Sequence, residues 1–153
     1  MAINCAPQDE LRVQAGRIAG NANLRDIRLT QSDVRLHFVP NPTASLSVEL
    51  DISPEAEIAP AIGDSAGLLL VSCGFSVTIS SDAEDVTDSV ATLQSEFTAA
   101  FTHTLFDEAS DEELEAFANT TGLFALYPYA REYISDCTRR LGLPTLVLDL
   151  FKP

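Results

Sequence analysis

Polar and apolar positions follow two different periods along this chain. Near the start, Leu11, Ala15, Ile18 and Ala22 recur at the spacing of one helical face. Gly16 and Gly20 each weaken such a helix by about 1 kcal/mol relative to Ala, so it needs a surface to lean on. The period then changes to two. Ile27 and Leu29 alternate with Arg28 and Thr30. After a polar break at Gln31-Ser32-Asp33, Val34, Leu36 and Phe38 alternate with Arg35 and His37, and Pro40 and Pro42 stop the strand. A second strand sets Leu46, Val48, Leu50 and Ile52 against Ser47, Glu49, Asp51 and Ser53, before a loop with Pro54, Pro60 and Gly63. A third puts Val71, Cys73, Phe75, Val77 and Ile79 inside. An acidic turn from Ser81 to Asp88 leads to a fourth, where Leu93, Phe97, Ala99 and Phe101 share a face. Four alternating strands with connections too short for crossover helices predict an antiparallel sheet with one buried face.

Helical signals return afterwards. Ser110-Asp111-Glu112-Glu113 is a capping box opening a short helix with Leu114, Phe117 and Ala118, ending near Gly122. A second helix is expected from Pro128, a residue tolerated at a first helical position. Its stripe is Ala130, Tyr133 or Ile134, Cys137 and Leu141, and Gly142 and Pro144 end it. Asp136 supports Arg139 and Arg140 in the last turn. The tail from Leu146 to Phe151 is apolar and short. The pattern predicts an α+β fold over a single domain, residues 1–153: a four-stranded antiparallel sheet with an N-terminal helix and C-terminal helices on one face.

Charge narrows the partners. Nine basic residues against 23 acidic ones give a net charge of −14, which argues against nucleic acid and against anionic membranes. From Leu36 to Ala130 there is no Lys or Arg, while that span holds 16 Asp and Glu. Those acids form either a solvated surface or a docking face for a basic partner. No apolar run is long enough for membrane insertion, and MAINCAPQDELR lacks the pattern of a signal peptide. Cys5, Cys73 and Cys137 are odd in number and far apart, which fits a reduced, cytoplasmic protein without a disulfide framework or CxxC metal site.

Catalytic chemistry finds little support. His37 and His103 have no companion at metal-ligand spacing, and Cys137 falls on the inner stripe of a helix, where a thiol is inert. Gly63 and Gly67 flank no Lys-Ser/Thr of a phosphate loop. No metal, no cofactor and no enzymatic activity are expected. In contrast, Leu123-Phe124-Ala125-Leu126-Tyr127-Pro128-Tyr129 packs five large apolar residues into seven positions. These either seal the helix onto the sheet or form a subunit interface or a groove for extended polypeptide.

The run Ala125-Leu126-Tyr127-Pro128-Tyr129-Ala130-Arg131-Glu132-Tyr133-Ile134, followed by Leu143-Pro144-Thr145-Leu146-Val147-Leu148, resembles the signature of the SecB export chaperones. Glu112-Glu113-Leu114 through Thr120-Thr121-Gly122 and the leading helix look closer to SecB-like chaperones of actinobacteria, some of which belong to toxin–antitoxin–chaperone modules. The resemblance implies a homotetramer, built as a dimer of dimers, whose apolar grooves hold unfolded polypeptide without ATP, whether preproteins for export or an antitoxin. Candidate polypeptide-binding residues are Phe97, Phe101, Phe124, Leu126, Tyr127, Tyr133, Leu146 and Leu148. The resemblance also implies docking on SecA through outer acids. Asp33 and Glu96 match two of these, a third falls on His37, and Glu49 and Asp51 extend the acidic face. The family's C-terminal helix and tail, which also contact SecA, have no counterpart before Phe151-Lys152-Pro153. The competing reading is a non-catalytic α+β interaction or small-ligand-binding domain.

Overall fold

The two-residue period closes into one antiparallel sheet. The computed structural model describes residues 8–59, 67–83, 89–103 and 109–150. Cys5, the turn through Pro60 and Gly63, most of the acidic turn before Asp88, and the side chains of Leu11 and His103 lie outside what is described. Strands β1 (Ala22–Leu36), β2 (Leu46–Ala59), β3 (Leu68–Ser81) and β4 (Ala91–His103) stand in the order β1-β4-β3-β2. The inner positions of β3 and β4 match the sequence pattern. Val71, Cys73, Phe75, Val77, Leu93 and Ala99 are all buried there.

The expected polar break in the first strand is not a break. Leu24 stands opposite Phe101, Ile27 opposite Ala99, Leu29 opposite Phe97, Ser32 opposite Ser95 and Val34 opposite Leu93. Directly opposed residues share a face. Register shifts at Leu24/Asp26 and Leu29/Gln31 each insert one extra residue, as a β-bulge does. The bulges let residues spaced by three, two, three and two all lie on the helix-side face of the sheet. A strict period of two cannot show this, so Gln31-Ser32-Asp33 read as an interruption. Ser32 therefore points inward, where its hydroxyl is hydrogen-bonded to the Tyr133 hydroxyl. The second strand is also longer than expected. It continues through Pro54, opposite Cys73, to Ala59. Proline is tolerated there because β2 is an edge strand with its missing N–H on the open side.

Three helical segments cover the inner face: α1 (Gln8–Ala19), α2 (Asp111–Phe117) and α3 (Leu123–Arg140). Helix α1 buries Ala15 and Ile18; Ala22, expected on its apolar face, instead begins β1. Arg17 clamps α1 to α2, its Nε and Nη2 each donating to the Glu113 carboxylate at 2.8 Å. The capping box forms as expected. Glu113 N–H donates to Ser110 Oγ at 3.2 Å, and Ser110 N–H donates to Glu113 Oε1 at 3.3 Å. The Arg17 guanidinium, helped by the Ser110 N–H, holds the Glu113 carboxyl below its ordinary range.

The expected helix end near Gly122 and restart at Pro128 are both overturned. Helices α2 and α3 join through a π-helical turn, Ala118–Gly122, in which Leu123 N–H reaches Ala118 C=O five residues back. Asn119 and Thr120 donate their side chains to the carbonyls of Glu115 and Ala116, at 2.9 and 2.7 Å. Pro128 sits inside α3, where it costs about 3 kcal/mol relative to Ala. Burying Leu123, Leu126, Ala130 and Ile134 on the sheet outweighs that, because each large aliphatic side chain contributes about 1.5–3 kcal/mol. The rings of Tyr127, Phe75, Phe97 and Tyr133 then step across the layer boundary with centroids 6.4, 6.5 and 5.8 Å apart.

The turn brings Gly122 hard against β3. A Cβ on Gly122 would lie 2.6 Å from Cγ1 of Val71. Gly16, in contrast, has nothing within 4 Å of the place a Cβ would take. Gly122→Ala should therefore lower stability by about 1–3 kcal/mol through overpacking. Gly16→Ala should raise it by about 0.5–1 kcal/mol through helix propensity alone. Urea denaturation of the two variants reads the opposite signs directly, and equal shifts would contradict the packing.

Candidate functional site

The end of α3 determines what lies along its outer side. Gly142 adopts φ 73° and donates its N–H to Arg139 C=O at 3.1 Å, while Leu143 N–H donates to Thr138 C=O at 3.1 Å. This pair of bonds, with a left-handed glycine, is a Schellman motif, so Gly142 ends the helix as the sequence indicated. The chain then doubles back. Leu146 N–H donates to Thr138 Oγ1 at 3.0 Å, Arg131 Nε donates to Leu148 C=O at 2.6 Å, and Tyr127 OH donates to Asp149 C=O at 2.7 Å. Residues 143–150 thus form an extended strap running antiparallel to α3. Thr138 is wholly buried and carries both ends of this turn, since its hydroxyl also donates to Ser135 C=O at 3.0 Å.

A groove of about 360 Å³ opens between helix and strap. Phe124, Pro128, Glu132 and Ser135 form one wall, Val147 and Leu150 the other, and Tyr127 and Arg131 bridge them. Its apolar lining is unusually open to solvent: Phe124 is 54% exposed, Val147 56% and Leu150 69%. Burial raises the Tyr127 phenol above its ordinary range, so it remains a neutral hydrogen-bond donor.

The eight residues expected to hold polypeptide divide sharply. Phe124 and Tyr127 line the groove, and Leu146 and Tyr133 are half-buried outside its lining. Phe97, Phe101, Leu126, Tyr127 and Leu148 are buried. Leu126 is fully inaccessible, so in this chain it is core and not groove surface, because it falls on the sheet-facing stripe of α3 with Ala130 and Ile134. Sequence reasoning missed Arg131 and Thr138. Arg131 lies in the quoted Pro-Tyr-Ala-Arg-Glu run, but nothing there shows that it grips a main-chain carbonyl. The polar Thr138 on a buried stripe was the available signal.

The acidic candidates do not form one cluster. Asp33 accepts two hydrogen bonds from Arg35, at 2.9 and 3.1 Å, which hold its carboxyl below the ordinary range. Glu96 accepts from Thr30 at 2.7 Å. Glu49 and Asp51 stand on β2, opposite Thr78 and Ser76, two strands across and four and two residues along from the position level with Glu96, or about 17 and 12 Å away. His37 is exposed and bonded to Thr92 at 3.1 Å. The two described cysteines are buried, and burial pushes the Cys73 thiol up to about 12. Among the described residues no three metal-ligating side chains gather, and no helix is long and apolar enough to cross a membrane.

The geometry matches known proteins. The chain is 39% identical to the SecB-like chaperone Rv1957 of Mycobacterium tuberculosis H37Rv, over 93% of this chain and 85% of that protein. The chain belongs to the SecB-like chaperone family. The SecB-like chaperone MT2006 of the CDC 1551 strain matches to the same extent. The solved structure of Rv1957, in complex with a ChAD peptide from the HigA1 antitoxin, superposes with a TM-score of 0.77 at 36% identity, covering 93% of this chain and 99% of that one. No family model matches the chain. The SecB-like fold expected from the sequence is thereby confirmed, with its four-stranded antiparallel sheet and its N- and C-terminal helices, and these chaperone relatives point to a non-enzymatic protein.

The strap gives this family member a direct test. Thr138→Val removes the acceptor for the Leu146 N–H and should cost about 1–3 kcal/mol, the range for leaving a buried polar group unpaired. Amide exchange at Leu146 should accelerate with it. Unchanged exchange would show that Thr138 does not hold the strap.

Proposed function

We propose that this chain is an ATP-independent, cytoplasmic holdase that keeps extended, non-native polypeptide bound along the outer side of α3. The observation that carries this reading is the open apolar groove around Phe124, bordered by chain that is itself extended polypeptide. A small ligand would be served by a closed pocket with convergent polar groups; this groove is open. The antitoxin peptide bound by the Mycobacterium tuberculosis relative supports an antitoxin segment as the dedicated client, ahead of preproteins for export. Docking on SecA is not favoured, because Asp33 is paired with Arg35 and the remaining candidate acids are divided between the interior strand β4 and the edge strand β2.

The binding reading separates from a purely structural one by substitution. Phe124→Ser should leave the fold intact and weaken binding of an unfolded client about tenfold or more, since a fully covered aromatic contributes about 1.5–3 kcal/mol. Leu126→Ser should instead unfold the protein, as core Leu truncations cost about 2–5 kcal/mol. Aggregation suppression, fluorescence anisotropy and circular dichroism read both. Full client affinity in Phe124→Ser contradicts the proposed site.

We also propose a homotetramer, a dimer of dimers. The two sheet edges are unequal. Edge strand β2 is blunted by Pro54 and by Glu49, Asp51, Glu55 and Glu57 on its outer face, devices that oppose strand pairing. Edge strand β1 carries charges of both signs and two bulges, but it lacks a proline and leaves the inward-facing Leu24 and Leu29 51% and 45% exposed. Pairing of β1 with a second copy would cover them, and closed symmetry is the usual result. Light scattering should return about four times 16.5 kDa. A monomeric mass at micromolar concentration would overturn the assembly.

A further inference from the structure

We infer that residues 143–150 are an internal occupant of the polypeptide site, and that an extended client binds by displacing them from α3. This rests on the polypeptide-binding reading of the same surface and adds its regulation.

Three features of the strap carry the inference. First, Arg131, Tyr127 and Thr138 all grip main-chain atoms of the strap, namely Leu148 C=O, Asp149 C=O and Leu146 N–H. Contacts of this kind do not read side-chain identity, so any extended segment in the same register satisfies them. Second, alternate strap side chains turn toward the helix. Leu146 and Leu148 are half-buried and buried, while Val147 and Asp149 face solvent. An extended client with alternating apolar residues presents the same pattern, because successive side chains of an extended chain point to opposite sides. Third, the strap is held in two different ways. Its start is pinned by the Schellman bonds of Gly142 and Leu143. Beyond Leu143 its described hydrogen bonds to α3 are made by the side chains of Thr138, Arg131 and Tyr127, so it can lift from the helix without unwinding α3.

A tethered occupant acts as a threshold. Its effective concentration is of order millimolar for a short connection, so a weakly apolar segment fails to displace it and a strongly apolar one succeeds. Apparent client affinity is then the intrinsic affinity multiplied by the fraction of molecules whose strap is undocked. Weakening the strap should therefore tighten client binding, whereas removing a groove residue of α3 such as Phe124 would loosen it.

Leu148→Ser tests the sign, with reduced and carboxymethylated α-lactalbumin as the unfolded probe and circular dichroism to confirm the fold. The inference expects the dissociation constant to fall several-fold. An unchanged or raised constant overturns it. A second measurement covers the case in which this variant fails to fold. In the wild-type protein saturated with the same probe, exchange of the Leu146 amide should accelerate at least tenfold, while the Ile134 amide in the middle of α3 keeps its rate. Unchanged or slower exchange at Leu146, with the probe shown to be bound by anisotropy, overturns strap displacement and leaves the holdase reading standing. No probe binding at any stoichiometry overturns the holdase reading, and this inference with it.

Discussion

The contact of Gly122 with Val71 determines how the helical layer lies on the sheet. Only a residue without Cβ lets the backbone come this close, and the π-helical turn places that residue toward β3. From that point one continuous helix runs over the sheet. Leu126, Ala130 and Ile134 are committed inward, and Phe124 and Pro128 are committed outward to the groove. The division between core and candidate binding surface follows from this one approach, because rotating α3 would exchange the two sets.

The strap is the second consequence. A helix ended by a left-handed glycine sends its chain back along itself, and here the returning segment meets donors and acceptors spaced along α3. Thr138, Arg131 and Tyr127 satisfy the strap's backbone as strand partners would in a sheet, but with side chains. A surface that satisfies backbone groups and leaves apolar side chains exposed suits a chaperone, whose clients share little beyond exposed backbone and apolar residues.

Much of the fold was legible in the sequence, because β3 and β4 alternate strictly and Ser110, Glu113 and Gly142 carry unambiguous end signals. The legible part stopped wherever a local rule was overridden by packing. Two bulges hid the inner face of β1 behind an apparent polar break at Ser32. Pro54 and Pro128 read as punctuation, although an edge position tolerates one and a well-buried helix the other. The candidate site was legible as a region, from Leu123 to Tyr129, but not residue by residue. Leu126 and Phe124 are equally apolar, and only the phase of a helix containing a π turn decides which is core. Arg131 and Thr138 act through main-chain partners more than seven residues away, contacts that no spacing rule encodes.

The central claim is that non-native polypeptide lies on the outer side of α3 and not on the sheet. Site-specific photo-crosslinking tests it most directly, with a benzophenone side chain placed at Phe124 in one protein and at Ser76, on the outer face of β3, in another. Incubated with an unfolded client, the probe at position 124 should capture it and the probe at position 76 should not. Capture from position 76 with none from position 124 would contradict the account.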